Sequence, residues 1–362
     1  MVPVLVLAAC GQAPLTPGGP TSGTAASSGV TSGGAGASVA STGAAGDPAG
    51  TNGTAGTSGV AGMGVQPAGP MFTLIGSTAP DCGVNLPTDI SQRTIAFDSD
   101  RMDFRRQLYW IKANGANLTR IMTDSFLDKE PAFSPDGKKL AFTSDRAGGG
   151  LTQIFVLDLS SNQIVKLTSR PEGADEPSFS RDGALVAFHS GASVYVIRTD
   201  GSGEQLVGTG LDNFNAYRWP SFSADGAQLA FDRNNEIDAA MIGAMPGTPI
   251  RMIVQNTTAI MKQPAVSPDG EDVAYQSGCG FTGASVWTTP FSTTTEVCKG
   301  RRVTPVGETA TRPAWGTTTY LAYESNVSAT AATIAVVSRV AGSVPCVITD
   351  TAGDNRNPAW SP

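Results

Sequence analysis

The chain has 362 residues, a net charge of −7 and a single His. The acidic balance excludes a nucleic-acid binder, which needs a basic face. One His excludes a His-rich metal site and leaves at most one Ser-His-Asp or Cys-His arrangement. No apolar run reaches the roughly 18–20 residues that span a bilayer.

In chain order, residues 1–10 form an apolar run ending Leu7-Ala8-Ala9-Cys10. This ending resembles a bacterial lipobox, and the resemblance implies cleavage before Cys10 and lipidation of its thiol. The positive segment that ordinarily precedes such a run is then expected upstream of Met1. Acyl chains on Cys10 would anchor the protein to a membrane surface without spanning it.

Over residues 11–70, 50 of 60 positions are Gly, Ala, Ser, Thr or Pro. Such a stretch cannot bury enough apolar surface to offset its ordering entropy, so it is expected to be a disordered linker. A Gly-rich coil of that length has an r.m.s. span of roughly 40–45 Å. Residues 71–92 are expected to be a segment that packs on the folded part, which runs over 93–362.

From residue 93 the chain repeats. Pro131-Ala-Phe-Ser-Pro-Asp-Gly137, Pro177-Ser-Phe-Ser-Arg-Asp-Gly183, Pro220-Ser-Phe-Ser-Ala-Asp-Gly226 and Pro264-Ala-Val-Ser-Pro-Asp-Gly270 share one pattern. Pro313-Ala-Trp-Gly316 is a degenerate copy, and Pro358-Ala-Trp-Ser-Pro362 ends the chain. The prolines lie 43 to 49 residues apart, a period that points to propeller blades. A second anchor of the type Leu140-Ala-Phe142 follows each of the first five, and Ile95-Ala-Phe97 precedes them all.

One repeat predicts one blade. Ser-Pro-Asp-Gly suits a tight turn, because Pro presets φ, Asp caps the backbone and Gly takes positive φ. It joins a first strand over 132–134 to a second over 139–143, followed by strands over 153–158 and 163–168. Four antiparallel strands with short turns make a blade. Consecutive apolar residues, as in Ile154-Phe-Val-Leu157, are expected where both faces of a sheet are covered. The small Ala in each second strand should let the next blade approach closely.

The first repeat lacks a first strand, and the C-terminal Asn357-Pro-Ala-Trp-Ser361 is a first strand with nothing after it. The two complete one another. The fold class is therefore all-β, a six-bladed β-propeller of four-stranded antiparallel blades closed by the C-terminal strand. Closure removes the exposed edges of an open array.

The Pro-x-Phe/Trp-Ser-Pro-Asp-Gly turn, the Leu-Ala-Phe strand and Ser144-Asp-Arg146 resemble the WD40-like (PD40) repeat of the TolB-type β-propeller family over residues 93–362. The resemblance implies this fold and a place in the bacterial envelope. The linker stands where that family carries an α/β domain, so the roles of that domain are not transferred.

Besides Cys10 there are Cys82, Cys279, Cys298 and Cys346. An even number in an exported protein suggests two disulfides with three possible pairings, against four free thiols. Cys82 lies just before the first blade and Cys346 starts the last strand of blade six, its neighbour in the closed ring, which favours Cys82–Cys346 and leaves Cys279–Cys298. The latter two lie nominally at opposite ends of blade five, so loop insertions must bring them together.

Candidate sites follow from the repeat. His189 ends a second strand, where other blades hold Asp98, Thr143, Asp232, Gln276 and Glu324, and reads as a polar residue at a loop edge. Asp98-Ser-Asp-Arg101, Asp145-Arg146 and Asp232-Arg233 read as Asp–Arg pairs organising the following loop, with carboxylates for a Ca²⁺ ion as the alternative reading; no metal ligand is assigned, because the spacing lacks the dense Asp/Asn ladder of an EF-hand loop. The residues before each first-strand Pro are Glu130, Glu176, Trp219, Gln263, Arg312 and Asn357. They should ring one mouth of the channel and, with an exposed Tyr217 and Arg218, have the composition of a binding hot spot.

The function expected is that of a lipid-anchored envelope protein on the outer membrane, at its periplasmic face or the cell surface. Its propeller would be a monomeric, non-enzymatic module that binds an envelope protein or a glycan, with no cofactor, no nucleic acid and no membrane contact beyond the lipid. The alternative is a propeller-hosted enzyme, a polysaccharide lyase or hydrolase, which needs carboxylates, Arg and His189 gathered on one loop face.

Overall fold

A computed structural model describes residues 65–66, 72–75 and 86–362, apart from 103–104, 211–215, 245–249, 256–258, 280–282, 297 and 329–330. Cys10 and Cys82 lie outside the described residues, as does all of the 11–70 segment except Val65–Gln66. Two short strands, β1 (Val65–Gln66) and β2 (Thr73–Leu74), precede a single helical turn, α1 (Thr88–Ser91).

Six sheets follow. Blade I holds β3 (Thr94–Ser99), β4 (Gln107–Lys112) and β5 (Thr119–Arg120). Blade II holds β6 (Asp128–Phe133), β7 (Lys139–Ser144), β8 (Gln153–Asp158) and β9 (Ile164–Lys166). Blade III holds β10 (Asp175–Phe179), β11 (Leu185–Ser190), β12 (Ser193–Arg198) and β13 (Gln205–Thr209). Blade IV holds β14 (Arg218–Phe222), β15 (Gln228–Arg233), β16 (Glu236–Met241) and β17 (Arg251–Gln255). Blade V holds β18 (Met261–Val266), β19 (Asp272–Ser277) and β20 (Ser285–Pro290). The short strands β21 (Thr295–Glu296) and β22 (Arg301–Arg302) come next, and β22 completes blade V. Blade VI holds β23 (Ala310–Trp315), β24 (Tyr320–Ser328), β25 (Ala331–Ser338) and β26 (Cys346–Val347). The chain ends on β27 (Arg356–Trp360).

The ring closes as the end-to-end offset of the repeats implies. β27 pairs antiparallel with β3, placing Ala359 opposite Ala96 and Trp360 opposite Ile95. Ser361 N–H then donates to the Thr94 carbonyl at 2.8 Å. The degenerate Gly316 is explained by the same closure, because a Cβ there would lie inside the Trp360 indole ring.

The core sits between blades. Each second-strand Ala is fully buried and packs on the second strand of the next blade: Ala141 with Val186 and Phe188, and Ala187 with Leu229 and Phe231. The series ends with Ala322 against Ile95 and Phe97, joining blade VI to blade I. Covering both faces of the middle strands in this way accounts for their consecutive apolar residues.

The turns behave as their residues dictate. Ser134 Oγ donates to Asp136 at 2.6 Å, Lys138 N–H donates to the same oxygen at 3.1 Å, and Gly137 sits at φ +68°. Gly137 also faces Pro362 of blade I, so a side chain there would be strained and crowded at once.

Three differences from the sequence expectation appear. First strands begin earlier than expected, at Asp128 rather than 132 in blade II, and the fourth strand there is only Ile164–Lys166. Extra strands extend three blades outward: β1 on β9, β2 on β5, and β21, which leaves blade V to run parallel to β17 of blade IV. Val65–Gln66 thus carries strand pairing inside the segment read as a linker.

Candidate functional site

Every first strand carries a bulge at one place, because three residues of that strand span two of the second, as between Asp175 and Ser178. The bulged residue is the one before the Pro. Glu130, Glu176, Trp219, Gln263, Arg312 and Asn357 have φ of +57°, +62°, +54°, +57°, +49° and +54°. A left-handed conformation costs a side-chain-bearing residue roughly 1–2 kcal/mol. It also turns the backbone N–H away from the second strand, so that N–H needs another acceptor.

The acceptor always comes from the preceding blade. Asp98 of blade I accepts Glu130 N–H at 3.0 Å, Glu130 accepts Glu176 N–H at 3.0 Å, and Glu176 accepts Trp219 N–H at 2.7 Å. Asp232 accepts Gln263 N–H at 2.8 Å, Gln263 accepts Arg312 N–H at 3.0 Å, and Glu324 accepts Asn357 N–H at 2.8 Å. The circle is complete. Each blade supplies its acceptor from one of two places, the bulge itself (Glu130, Glu176, Gln263) or the second-strand end (Asp98, Asp232, Glu324). Where the bulge residue is Trp219 or Arg312, which cannot accept, the strand end carries the acid.

The six residues before the first-strand prolines thus share one structural task. All six residues line a central cavity of about 280 Å³ that runs on past the first-strand prolines to Phe133, Trp315 and Trp360. At its other end Arg181 donates to the Pro268 carbonyl two blades away, at 2.6 Å. A second cavity of about 470 Å³ opens at the mouth between blades III, IV and V. It is lined by Glu176, Arg218, Trp219, Asp232, Asn234, Lys262, Gln263 and Arg312 among others.

The electrostatics differ around the ring. Asp98 is paired with Arg106, and Glu130 with Lys129 at 3.0 Å. Arg312 Nη1 reaches both oxygens of Glu324 at 2.8 Å. Asp128, which opens the first strand of blade II opposite Ser144, pairs with Arg146 at 2.8 Å; burial nevertheless raises its carboxyl to about 6, against the pull of Arg146. Glu176 and Asp232 have no cation within ion-pair distance among the described residues. Burial, then the charge of Glu130, pushes Glu176 well above the usual carboxylate range. Burial pushes Asp232 up to about 7, although the Gln263 N–H, Lys262 and Arg218 pull it down.

Several sequence expectations need correction. Tyr217 is not exposed: it is 4% accessible, and its ring stacks on Phe231 with centroids 4.6 Å apart. The small Gly208 beneath it leaves room for that packing. Trp219 is half-buried, and the Arg312 guanidinium lies 5.0 Å from its ring centroid, whereas Arg218 is exposed. His189 does lie at a loop edge, but buried: its Nε2 bonds the Gly191 carbonyl of the following turn at 2.8 Å, and burial lowers its pKa. The adjacent Asp–Arg residues do not pair with each other. Arg146 pairs with Asp128 and Asp124, Arg233 with Asp238, and Arg101 with Asp350, because an Arg following a strand end reaches back along the sheet or out to the next loop.

The Cys279–Cys298 disulfide is formed, with Cα atoms 5.4 Å apart. The chain reaches this geometry because residues around β21 leave blade V and climb beside β17 toward the mouth. Cys346 is disulfide-bonded as well; its expected partner Cys82 lies outside the described residues.

The residues that sequence reading missed at the site are Lys262 and Asn234 on the second cavity and the acceptor role of Asp98, Asp232 and Glu324. A signal was there: an acid at the strand end coincides with a residue other than Glu or Gln before the Pro. Around the mouth, loops also expose Met102 (58%), Leu151 (44%), Ile260 (50%) and Val306 (74%). Among the described residues no three His, Cys, Asp or Glu are grouped to hold a metal ion, and no helix is long and apolar enough to cross a membrane.

No protein-family profile matches the chain. A TolB homologue of Chlorobium luteolum is 30% identical over 142 residues, 38% of this chain and 30% of that protein. The Tol-Pal system protein TolB of Francisella tularensis is 26% identical over 180 residues, 47% of this chain and 40% of that protein. Matches to the first curated relatives span only 30% and 64% of their length. The crystal structure of TolB from Acinetobacter baumannii superposes with a TM-score of 0.62 at 18% identity, covering 77% of this chain and 68% of that one. The folded part of this chain is a six-bladed β-propeller similar to that of TolB.

Proposed function

We propose that this protein is a non-enzymatic binding module of the bacterial envelope, whose propeller docks a partner protein at the mouth ringed by the six bulges. The observation that carries this is the composition of that face. Met102, Leu151, Ile260 and Val306 are exposed on its loops beside the exposed Arg218, a mixture of apolar and cationic groups suited to a protein interface. Toward the opposite face the exposed apolar side chains are Leu206 and Met241 of blades III and IV and Val340 and Val344 in one hairpin of blade VI, and the repeated Asp-Gly turns there are satisfied locally. The similarity to TolB supports an envelope setting. Lipidation at Cys10 and an outer-membrane tether through the 11–70 segment belong to the same reading and rest on the lipobox resemblance. So does a monomeric propeller, since ring closure leaves no blade unpaired.

The test is capture from solubilised native envelope. The Arg218→Glu/Ile260→Asp variant alters the mouth without touching the hydrogen-bonded ring. It should keep a single cooperative melting transition and lose the copurifying partner. Undiminished capture of the same partner would place the docking surface elsewhere.

A further inference from the structure

We propose that the cavity between blades III, IV and V receives an ammonium or guanidinium group, carried by a lysine or arginine side chain of the partner. This rests on the reading that a protein docks at this mouth, and it specifies the chemistry of that contact.

The six acceptors of the ring are not alike. Four have their charge or polarity met within the protein. Asp98 receives Arg106 and the Asn357 amide, Glu130 receives Lys129 and the Thr143 hydroxyl, and Glu324 receives Arg312 and the Thr311 hydroxyl. Gln263 is neutral. Glu176 and Asp232 are the exceptions. Each is 6% accessible, and each receives only a backbone N–H on one oxygen, from Trp219 and Gln263 respectively.

These two carboxylates line the same cavity of about 470 Å³ and repel one another. Two buried carboxylates without a counter-ion are costly unless protonated or met by a cation. A cavity beside them lets that cation come from outside. A charge-assisted hydrogen bond from an inserted N–H to each free oxygen would be roughly twice as strong as a neutral one. Arg218 and Lys262 also line the cavity, and both are exposed at its rim. They would oppose a bare cation and favour one with a carboxylate beside it, so the matching partner segment carries an acidic residue next to its Lys or Arg.

Glu176→Gln and Asp232→Asn keep an acceptor for Trp219 and Gln263 N–H, so the double variant should fold. The probe is the dipeptide acetyl-Lys-Asp-amide, with acetyl-norleucine-Asp-amide as its uncharged counterpart, titrated calorimetrically. Saturable binding of the lysine peptide is expected, at least about tenfold weaker for the norleucine peptide and for the double variant.

Binding should also release protons at pH 7, seen as a buffer-dependent heat, because the cation favours the ionised carboxylates. The other groups around them are Glu130, Arg218, Lys262 and Arg312, with His189 within electrostatic reach of Arg218; none of these replaces the signal if both carboxylates are amidated. Equal binding of the two peptides, no saturation with the lysine peptide, or unchanged binding by the double variant would overturn the proposal. Partner capture kept by the double variant but lost by Arg218→Glu/Ile260→Asp would reject the cation contact alone and leave docking at the mouth standing.

Discussion

The carboxylate of Glu176 accepts the backbone N–H of Trp219 at 2.7 Å across a blade boundary. It is one link of a six-membered circle in which every left-handed bulge is held by the blade before it. Packing of the Ala-bearing strands brings the blades together, and this circle fixes how they meet at the mouth. The link with most at stake is Glu324, which holds Asn357 N–H, Arg312 and the Thr311 hydroxyl at 2.8 to 2.9 Å. Glu324→Ala leaves the Arg312 charge and a backbone N–H without partners and should cost about 3 kcal/mol. Glu324→Gln should recover about 1 kcal/mol of that. Urea unfolding of both variants checks the order; equal stabilities would remove Glu324 from the ring.

Asp232 gives a pH signature. Its folded carboxyl titrates at about 7, above its ordinary value of 3.8, chiefly because it is buried. The folded state therefore binds the proton more tightly than the unfolded state does. Between those two values the contribution to stability falls as pH rises, and the destabilisation is complete above about pH 7. Asp232→Asn removes this dependence while keeping an acceptor for Gln263. The variant should melt higher than wild type at pH 8, and the gap should close toward pH 4. Parallel melting profiles from pH 4 to 8 would show that the carboxylate is not held uncompensated.

Ring closure predicts two outcomes. Removing residues 356–362 takes away β27, its pairing with β3 and the burial of Trp360. The truncated chain should lose its single cooperative unfolding transition, which calorimetry would show. Gly316→Ala places a methyl group into the Trp360 indole and should cost about 1–3 kcal/mol as overpacking. Combining it with Trp360→Leu should cost less than the sum of the two single changes, because the clash is then gone. Strict additivity would mean that the two sites do not touch.

The Cys279–Cys298 bond holds the segment that carries β21 from blade V onto blade IV. Its sequence separation is 19, and a loop of that size is worth about 3 kcal/mol through the unfolded chain. A Cys279→Ser/Cys298→Ser variant should lose about that stability. It should also show faster amide exchange at Val254, which lies opposite Thr295. Unchanged exchange there would mean that β21 is held without the bond.

The blade number, the closure and the turn chemistry were legible because each repeats. Pro131, Pro177, Pro220 and Pro264 set the period, and Ile95-Ala-Phe97 with Pro358-Ala-Trp360 exposed the offset. Strand pairing of Val65–Gln66 and of β21 was not legible, since two-residue strands have no periodicity. The mouth was half legible. The positions before each Pro were identified, but their left-handed backbone was not, because Glu, Trp and Arg carry no signal for positive φ as Gly does. Tyr217 read as exposed because it lies among polar loop residues; Gly208, which makes its pocket, is in another strand. The disulfide geometry depended on β21 leaving its blade, which no local pattern in residues 291–300 announces.

Docking at the bulged mouth can be read by site-specific photo-crosslinking in the native envelope. A benzophenone side chain placed at position 151, 260 or 340 samples two points on the mouth face and one on the opposite face. Positions 151 and 260 should crosslink to one and the same envelope protein, and position 340 should not. A crosslink to that protein from 340, with none from 151 and 260, would contradict docking at the mouth.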